Sequence, residues 1–166
     1  MIKDQKEYQV SLEWLNSFER SLKALSKDIV KKTKEPEAWQ IQYDGVKSMW
    51  NSVKEEVTEY EALLKHDRSQ PIYFEFPEID GIAKVLIQAR IAFKITQYEL
   101  AYICGLTEES IKIYEEQEYQ NARFTDVITV SDALGLKPIS DGLIAEIDEF
   151  YQQRLAAIRS SECLAS

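Results

Sequence analysis

The residues of this chain that could do chemistry are few. Three adjacent glutamate pairs, Glu55-Glu56, Glu108-Glu109 and Glu115-Glu116, carry carboxylates of the kind used as general acid and base. Neighbouring positions on a helix do not face one another, so each pair reads instead as part of a solvated face. With His66 the only histidine, the usual Cys and His zinc site cannot assemble from one chain, and no imidazole is spare to activate a Ser or Cys. His66 itself reads as a solvated helix-end residue. There is no Gly-rich phosphate loop and no nucleophile elbow. The expectation is a protein that is not an enzyme and that uses neither metal nor cofactor.

A different chemistry, hydrogen bonding to phosphates and base edges, is within reach of Thr96 to Glu116, TQYELAYICGLTEESIKIYEE. Counting from Gln97, the positions Leu100, Cys104, Leu106, Ile111 and Tyr114 fall where two short helices crossing steeply must bury side chains against each other. Ala101 sits at the crossing, where a side chain larger than a methyl would force the pair apart. Gly105 ends the first helix, because the left-handed conformation that redirects the chain is cheap for glycine. Thr107 then caps the second helix, with Glu108 and Glu109 near the positive end of its dipole. By this geometry the outward positions Thr107, Glu108, Glu109, Lys112, Ile113 and Glu116 would face a DNA major groove. Flanking helices complete the core, one through Ile82, Val85, Leu86, Ala89 and Ala92, the other through Phe124, Val127, Ile128, Val130 and Leu134, ending at Gly135.

Through VLIQARIAFKITQYELAYICGLTEESIKIYE and the following FTDVITVSDALGLKP, roughly residues 81 to 138, the chain resembles the phage repressor-like (XRE, Cro-type) helix-turn-helix family. The resemblance implies that Thr96 and Gln97 meet a phosphate or base near the start of their helix. It also implies that Thr107, Glu108, Glu109, Ser110, Lys112 and Ile113 approach base edges of a double-stranded operator. An N-terminal helical extension before such a domain is similar to that of some antitoxins of toxin–antitoxin pairs, which implies a toxin as a second partner. Where the family commonly carries Arg, Lys, Gln or Ser on the exposed face, this chain offers Glu108, Glu109 and Ile113.

Charge bears directly on that expectation. Gly81 to Gly135 holds five Lys or Arg against eight Asp or Glu, and the whole chain carries a formal −9 with a pI near 4.8. Phosphate contacts supply most non-specific affinity, so DNA binding should be weak or strongly salt-sensitive. Glutamate can still accept from the cytosine N4 amino group, which leaves specific readout open. The same acidity keeps an adaptor that binds a basic protein in view.

The remaining elements position this motif. Residues 4 to 33 carry Tyr8, Leu12, Leu15, Leu22, Leu25 and Ile29 at helical spacing, predicting one long amphipathic helix interrupted at Thr33-Lys34-Glu35-Pro36. Trp39, Tyr43, Val46, Trp50, Val53, Val57, Tyr60 and Leu64 then repeat at fours and threes, a coiled-coil-type seam. Two such helices joined by a few residues should fold back as an antiparallel hairpin spanning residues 1–68. Its three tryptophans and several tyrosines exceed what one seam covers, so the excess either meets a second chain or a partner protein, or packs against the C-terminal part of this one. Residues 69–80, SQPIYFEFPEID, read as a linker in preference to a short strand through Ile72, Phe74 and Phe76. The helix-turn-helix domain spans 81–138. Within it, in the loop after the second helix of the motif, Tyr119 and Arg123 are candidate phosphate contacts, or simply part of a solvated loop. From Ser140 or Asp141 a final amphipathic helix is predicted through Leu143, Ile144, Ile147, Phe150, Tyr151, Leu155 and Ile158, with SSECLAS a disordered tail closing residues 139–166.

The fold expectation is therefore all-α: an N-terminal antiparallel hairpin, a compact repressor-like helix-turn-helix domain and a C-terminal amphipathic helix. No apolar run suggests export or membrane spanning, and Cys104 and Cys163 do not suggest a disulfide, so a cytoplasmic protein is expected, and the palindromic half-sites that such motifs usually read imply a homodimer.

Overall fold

Asp4 starts the first element, its side chain accepting from the Glu7 N–H at 2.8 Å, and α1 runs Gln5–Lys27. The computed structural model describes residues 1–75 and 81–164, the last three by backbone alone. The chain divides into two units between Ala62 and Leu63, in the last turn of its third helix.

In the first unit the single helix expected over 4–33 is two. Asp28 ends α1, and its carboxylate accepts from the Lys31 N–H at 2.9 Å to start α2, Ile29–Lys34. A short acidic side chain that bonds its own neighbourhood competes with the helix ladder, which breaks the helix here. Pro36 then opens α3, Pro36–Lys65, at the first helical position, where its missing N–H costs nothing. Near one end of the unit the Trp39 indole N–H donates to the Leu25 carbonyl at 2.9 Å; near the other the Tyr8 hydroxyl donates to Glu61 at 2.8 Å. Those two pins make α1 and α3 antiparallel. The seam residues Tyr8, Leu12, Leu15, Leu22 and Leu25 are half-buried and no residue of α1 is buried, while Ile29 and Leu64, expected on the two stripes, are exposed.

The second unit holds α4 (Ile82–Ala92), α5 (Gln97–Cys104), α6 (Glu108–Glu116), α7 (Phe124–Ala133) and α8 (Glu149–Leu164), with β1 (Ile72–Glu75), β2 (Leu136–Ile139) and β3 (Gly142–Ala145). The strands form an antiparallel sheet in the order β1-β3-β2, in which Ala145 pairs with both Ile72 and Leu136. The chain is thus mostly helical, and this small sheet corrects the all-α expectation.

Two expectations change with it. Over 69–80, Ile72–Glu75 is a strand and not linker; Phe76 to Asp80 lie outside the described residues. The C-terminal helix begins at Glu149 and not at 140, because Ser140 and Asp141 are the two-residue turn of the β2–β3 hairpin, while Asp148 supplies the carboxylate that accepts from the Tyr151 N–H at 3.0 Å. Pro138 is tolerated because β2 is an edge strand. Helix α8 continues into the stretch expected to be a disordered tail, ending at Leu164; Ala165 and Ser166 lie outside the described residues.

Gly135 joins α7 to the sheet with φ +63°, and a Cβ there would stand 1.8 Å from the Glu146 carbonyl oxygen, so only glycine fits. The core gathers Leu86, Ile87, Ile95, Leu100, Ile111 and Leu134, all at most 2% exposed. Among the described residues no helix is long and apolar enough to cross a membrane.

Candidate nucleic-acid interface

Helix α5 packs against α6, α7 and α8. Its start is a full capping box: Thr96 accepts from the Glu99 N–H at 3.1 Å, and Glu99 accepts from the Thr96 N–H at 2.7 Å. Its end is Gly105 at φ +68°, where Leu106 N–H reaches back to the Ala101 carbonyl at 2.9 Å and closes the C-terminal turn. Ala101 is 2% exposed, between Leu100 and Ile111, both at 0%. Cys104, Leu106 and Tyr114, expected in the same crossing, are half-buried, and Ile103, at 3%, takes a core place that was not foreseen.

Thr107 caps α6, accepting from the Ser110 N–H at 3.1 Å, and its hydroxyl lies 2.7 Å from that of Ser110. Beyond it, Glu109, Lys112, Ile113 and Glu116 are exposed, whereas Glu108 is half-buried and pairs with Lys112 at 2.6 Å across one turn. Among the described residues a face of α6 carrying Thr107, Glu109, Lys112, Ile113 and Glu116 is therefore open, with Glu109 in the first turn, where the dipole favours it, and Glu116 at the helix end, where it does not. Arg123 is exposed at the N-cap of α7. Thr96 is exposed as well. Gln97 is half-buried, and its amide donates to Glu115 at 2.7 Å.

That last bond leads to residues the sequence did not disclose. Glu115, expected on a solvated face, is fully buried and held by Arg90 of α4. Arg90 also donates to the Ile95 carbonyl at 3.0 Å, so one guanidinium ties α4, the α4–α5 turn and α6 together. A signal was available: Arg90 stands four residues after Leu86, and Glu115 four after Ile111. A cation on one apolar stripe and an acid on another is a cue to pairing.

A second pair is Glu99 with Arg159 of α8, which donates to it at 2.5 Å and to the Lys94 carbonyl at 3.0 Å. Burial pushes the Glu99 carboxyl up, but the Arg159 guanidinium and the Thr96 N–H and hydroxyl outweigh it, so the group sits below its ordinary value.

Tyr119 does not stand where a phosphate contact would need it. It is 8% exposed, with φ +57°, and its hydroxyl is buried; burial raises its phenol. The apolar residues Phe124 and Ile128, expected in the core, are 78% and 45% exposed, because they sit on a different stripe of α7 from Val130 and Leu134.

Comparison with protein-family models, curated proteins and solved structures returns no match.

Proposed function

We propose that this chain is a sequence-specific DNA-binding transcriptional regulator of the phage repressor-like (XRE) helix-turn-helix type, a cytoplasmic, non-enzymatic repressor working as a homodimer on paired half-sites. The supporting observation is the open face of α6: a short helix set off from α5 by the Ala101 crossing and the left-handed Gly105, with Thr107, Glu109, Lys112, Ile113 and Glu116 exposed. In this reading Thr96 and Gln97 meet the backbone at the start of α5. Thr107, Glu108, Glu109, Ser110, Lys112 and Ile113 read the major groove, the glutamates accepting from cytosine amino groups, while Arg123 meets a flanking phosphate. In an antitoxin version the N-terminal hairpin holds a toxin while α6 represses the operon.

The acidic character of α6 favours a second reading, an adaptor that has kept the fold and presents this helix to a basic protein. A mobility shift of the purified chain on its own upstream DNA, at low and moderate salt, separates the two. A sequence-selective band weakened by Lys112→Ala and Gln97→Ala is expected; the absence of any selective band at either salt concentration rejects the regulator.

A further inference from the structure

The N-terminal hairpin has two broad faces of different character. Two shallow grooves follow its seam. One, of about 220 Å³, is walled by Leu22, Tyr43 and Trp50 and edged by Glu19, Lys23 and Lys47. The other, of about 400 Å³, runs past Ser21, Leu25, Gln42 and Val46 to Asp28 and Lys31 at the closed end. Glu19 and Ser21 are about 200° apart around α1, so the grooves open on opposite faces. Trp14 precedes Ser21 by seven residues and Met49 follows Gln42 by seven, which puts both on the second face. They are 54% and 58% exposed, and Trp14 stacks on Phe18 with ring centroids 5.7 Å apart.

We propose that this second face binds a second copy of the chain, two hairpins packing face to face and antiparallel as a four-helix bundle. Three observations select that occupant. Trp14, Phe18 and Met49 lie midway between the Tyr8–Glu61 and Leu25–Trp39 pins, so a two-fold axis at mid-height brings the aromatic pair and the thioether of one copy onto those of the other. The charges of the unit are polarised along its length: residues 20–37, at the closed end, hold six Lys or Arg against three Asp or Glu, while residues 1–8 and 54–62, at the open end, hold three against six. An antiparallel pair sets each end against its opposite, and a parallel pair sets like on like. The area also suffices. A face roughly 34 Å long and 20 Å wide offers about 700 Å² per copy, close to the ~800 Å² per partner of a stable interface.

This inference concerns assembly alone and is read without DNA: a dimer that shifts no operator rejects the regulator and leaves the interface standing. The test is sedimentation velocity of the full chain from about 1 to 100 µM at low and high salt, with far-UV circular dichroism of each variant. Dimer is expected for the wild type. Trp14→Glu should weaken it at least tenfold with the helix signal retained. Lys31→Glu, on the wall of the second groove, with Lys34→Glu three residues on at an exposed position, should weaken it severalfold at low salt and less at high salt, and this variant carries the test if Trp14→Glu fails to fold. A wild type that stays monomeric at 100 µM overturns the proposal, as does a folded Trp14→Glu dimer of unchanged strength. A charge reversal without effect at low salt overturns the antiparallel arrangement.

Discussion

Arg90 grips both carboxylate oxygens of Glu115, Nε at 2.5 Å and Nη2 at 2.7 Å, where neither side chain meets solvent beyond 6%. A forked pair of this kind satisfies most of its own hydrogen-bonding capacity, and the Gln97 amide and Ile95 carbonyl take up more. Removing one member leaves the other desolvated without its counter-charge. Glu115→Gln should therefore cost about 3–5 kcal/mol, while Arg90→Met with Glu115→Leu, which removes both charges, should recover much of that. Urea unfolding of the three chains reads the difference, and single and double variants with equal midpoints would contradict it.

The Glu99–Arg159 pair fixes how stability depends on acid. The folded carboxyl sits below its ordinary value of 4.5, so its contribution is fully present above that value and is lost as pH falls through the depressed folded value. Wild type should melt above Arg159→Gln near neutrality, and the gap should close as pH drops below about 4.5. The measurement is a melting series from pH 3 to 7. A gap that widens in acid reverses the sign.

Three small residues separate steric from conformational demands. Ala101→Leu should overpack the α5–α6 crossing and cost roughly 1–3 kcal/mol. At Gly105 a Cβ meets nothing within 4 Å, so Gly105→Ala should lose only the left-handed preference, about 1–2 kcal/mol. Gly135→Ala adds a collision with the Glu146 carbonyl to that same strain and should be the worse of the two. Thermal melts rank them, and a Gly135→Ala chain as stable as Gly105→Ala would mean that the α7–β2 junction has room for a Cβ beside the Glu146 carbonyl.

What was legible in the sequence was whatever a period or a cap encodes. Gly105 and Thr107 answer local backbone requirements and Ala101 a steric one at the crossing, and the two helices could be located to the residue from them. The seam from Trp39 to Tyr60 was visible for the same reason: an uninterrupted spacing over 30 residues of helix leaves little choice. The sheet was hidden because Leu143, Ile144 and Ile147 satisfy a helical spacing as well as β3 followed by an irregular link, and because β1 is four residues long and its partner lies some 70 positions away. Pairing decides such strands, and pairing is not local. Arg90, Glu115 and Arg159 went unrecognised for a related reason: a charge reads as solvated until the chain brings its partner to it.

Cys104 offers a last measurement, of how closed the motif is. Burial pushes its thiol up to about 12; Arg154 lowers it and Asp126 adds to the rise. Thiolate is the reactive form, so at pH 8 the folded chain holds far less of it than an unfolded chain, whose ordinary value is 9.0. With Cys163→Ser in place, so that one thiol reports, modification at pH 8 should run about a thousandfold slower in buffer than in urea. Ala101→Leu should speed it, because the thiol sits three residues along α5 from the crossing and loosening that helix admits both solvent and reagent. A folded-state rate within tenfold of the unfolded rate would show that the α5–α7 contact, where the Cys104 sulfur meets the Thr129 carbonyl at 3.9 Å, opens far more readily than its packing implies.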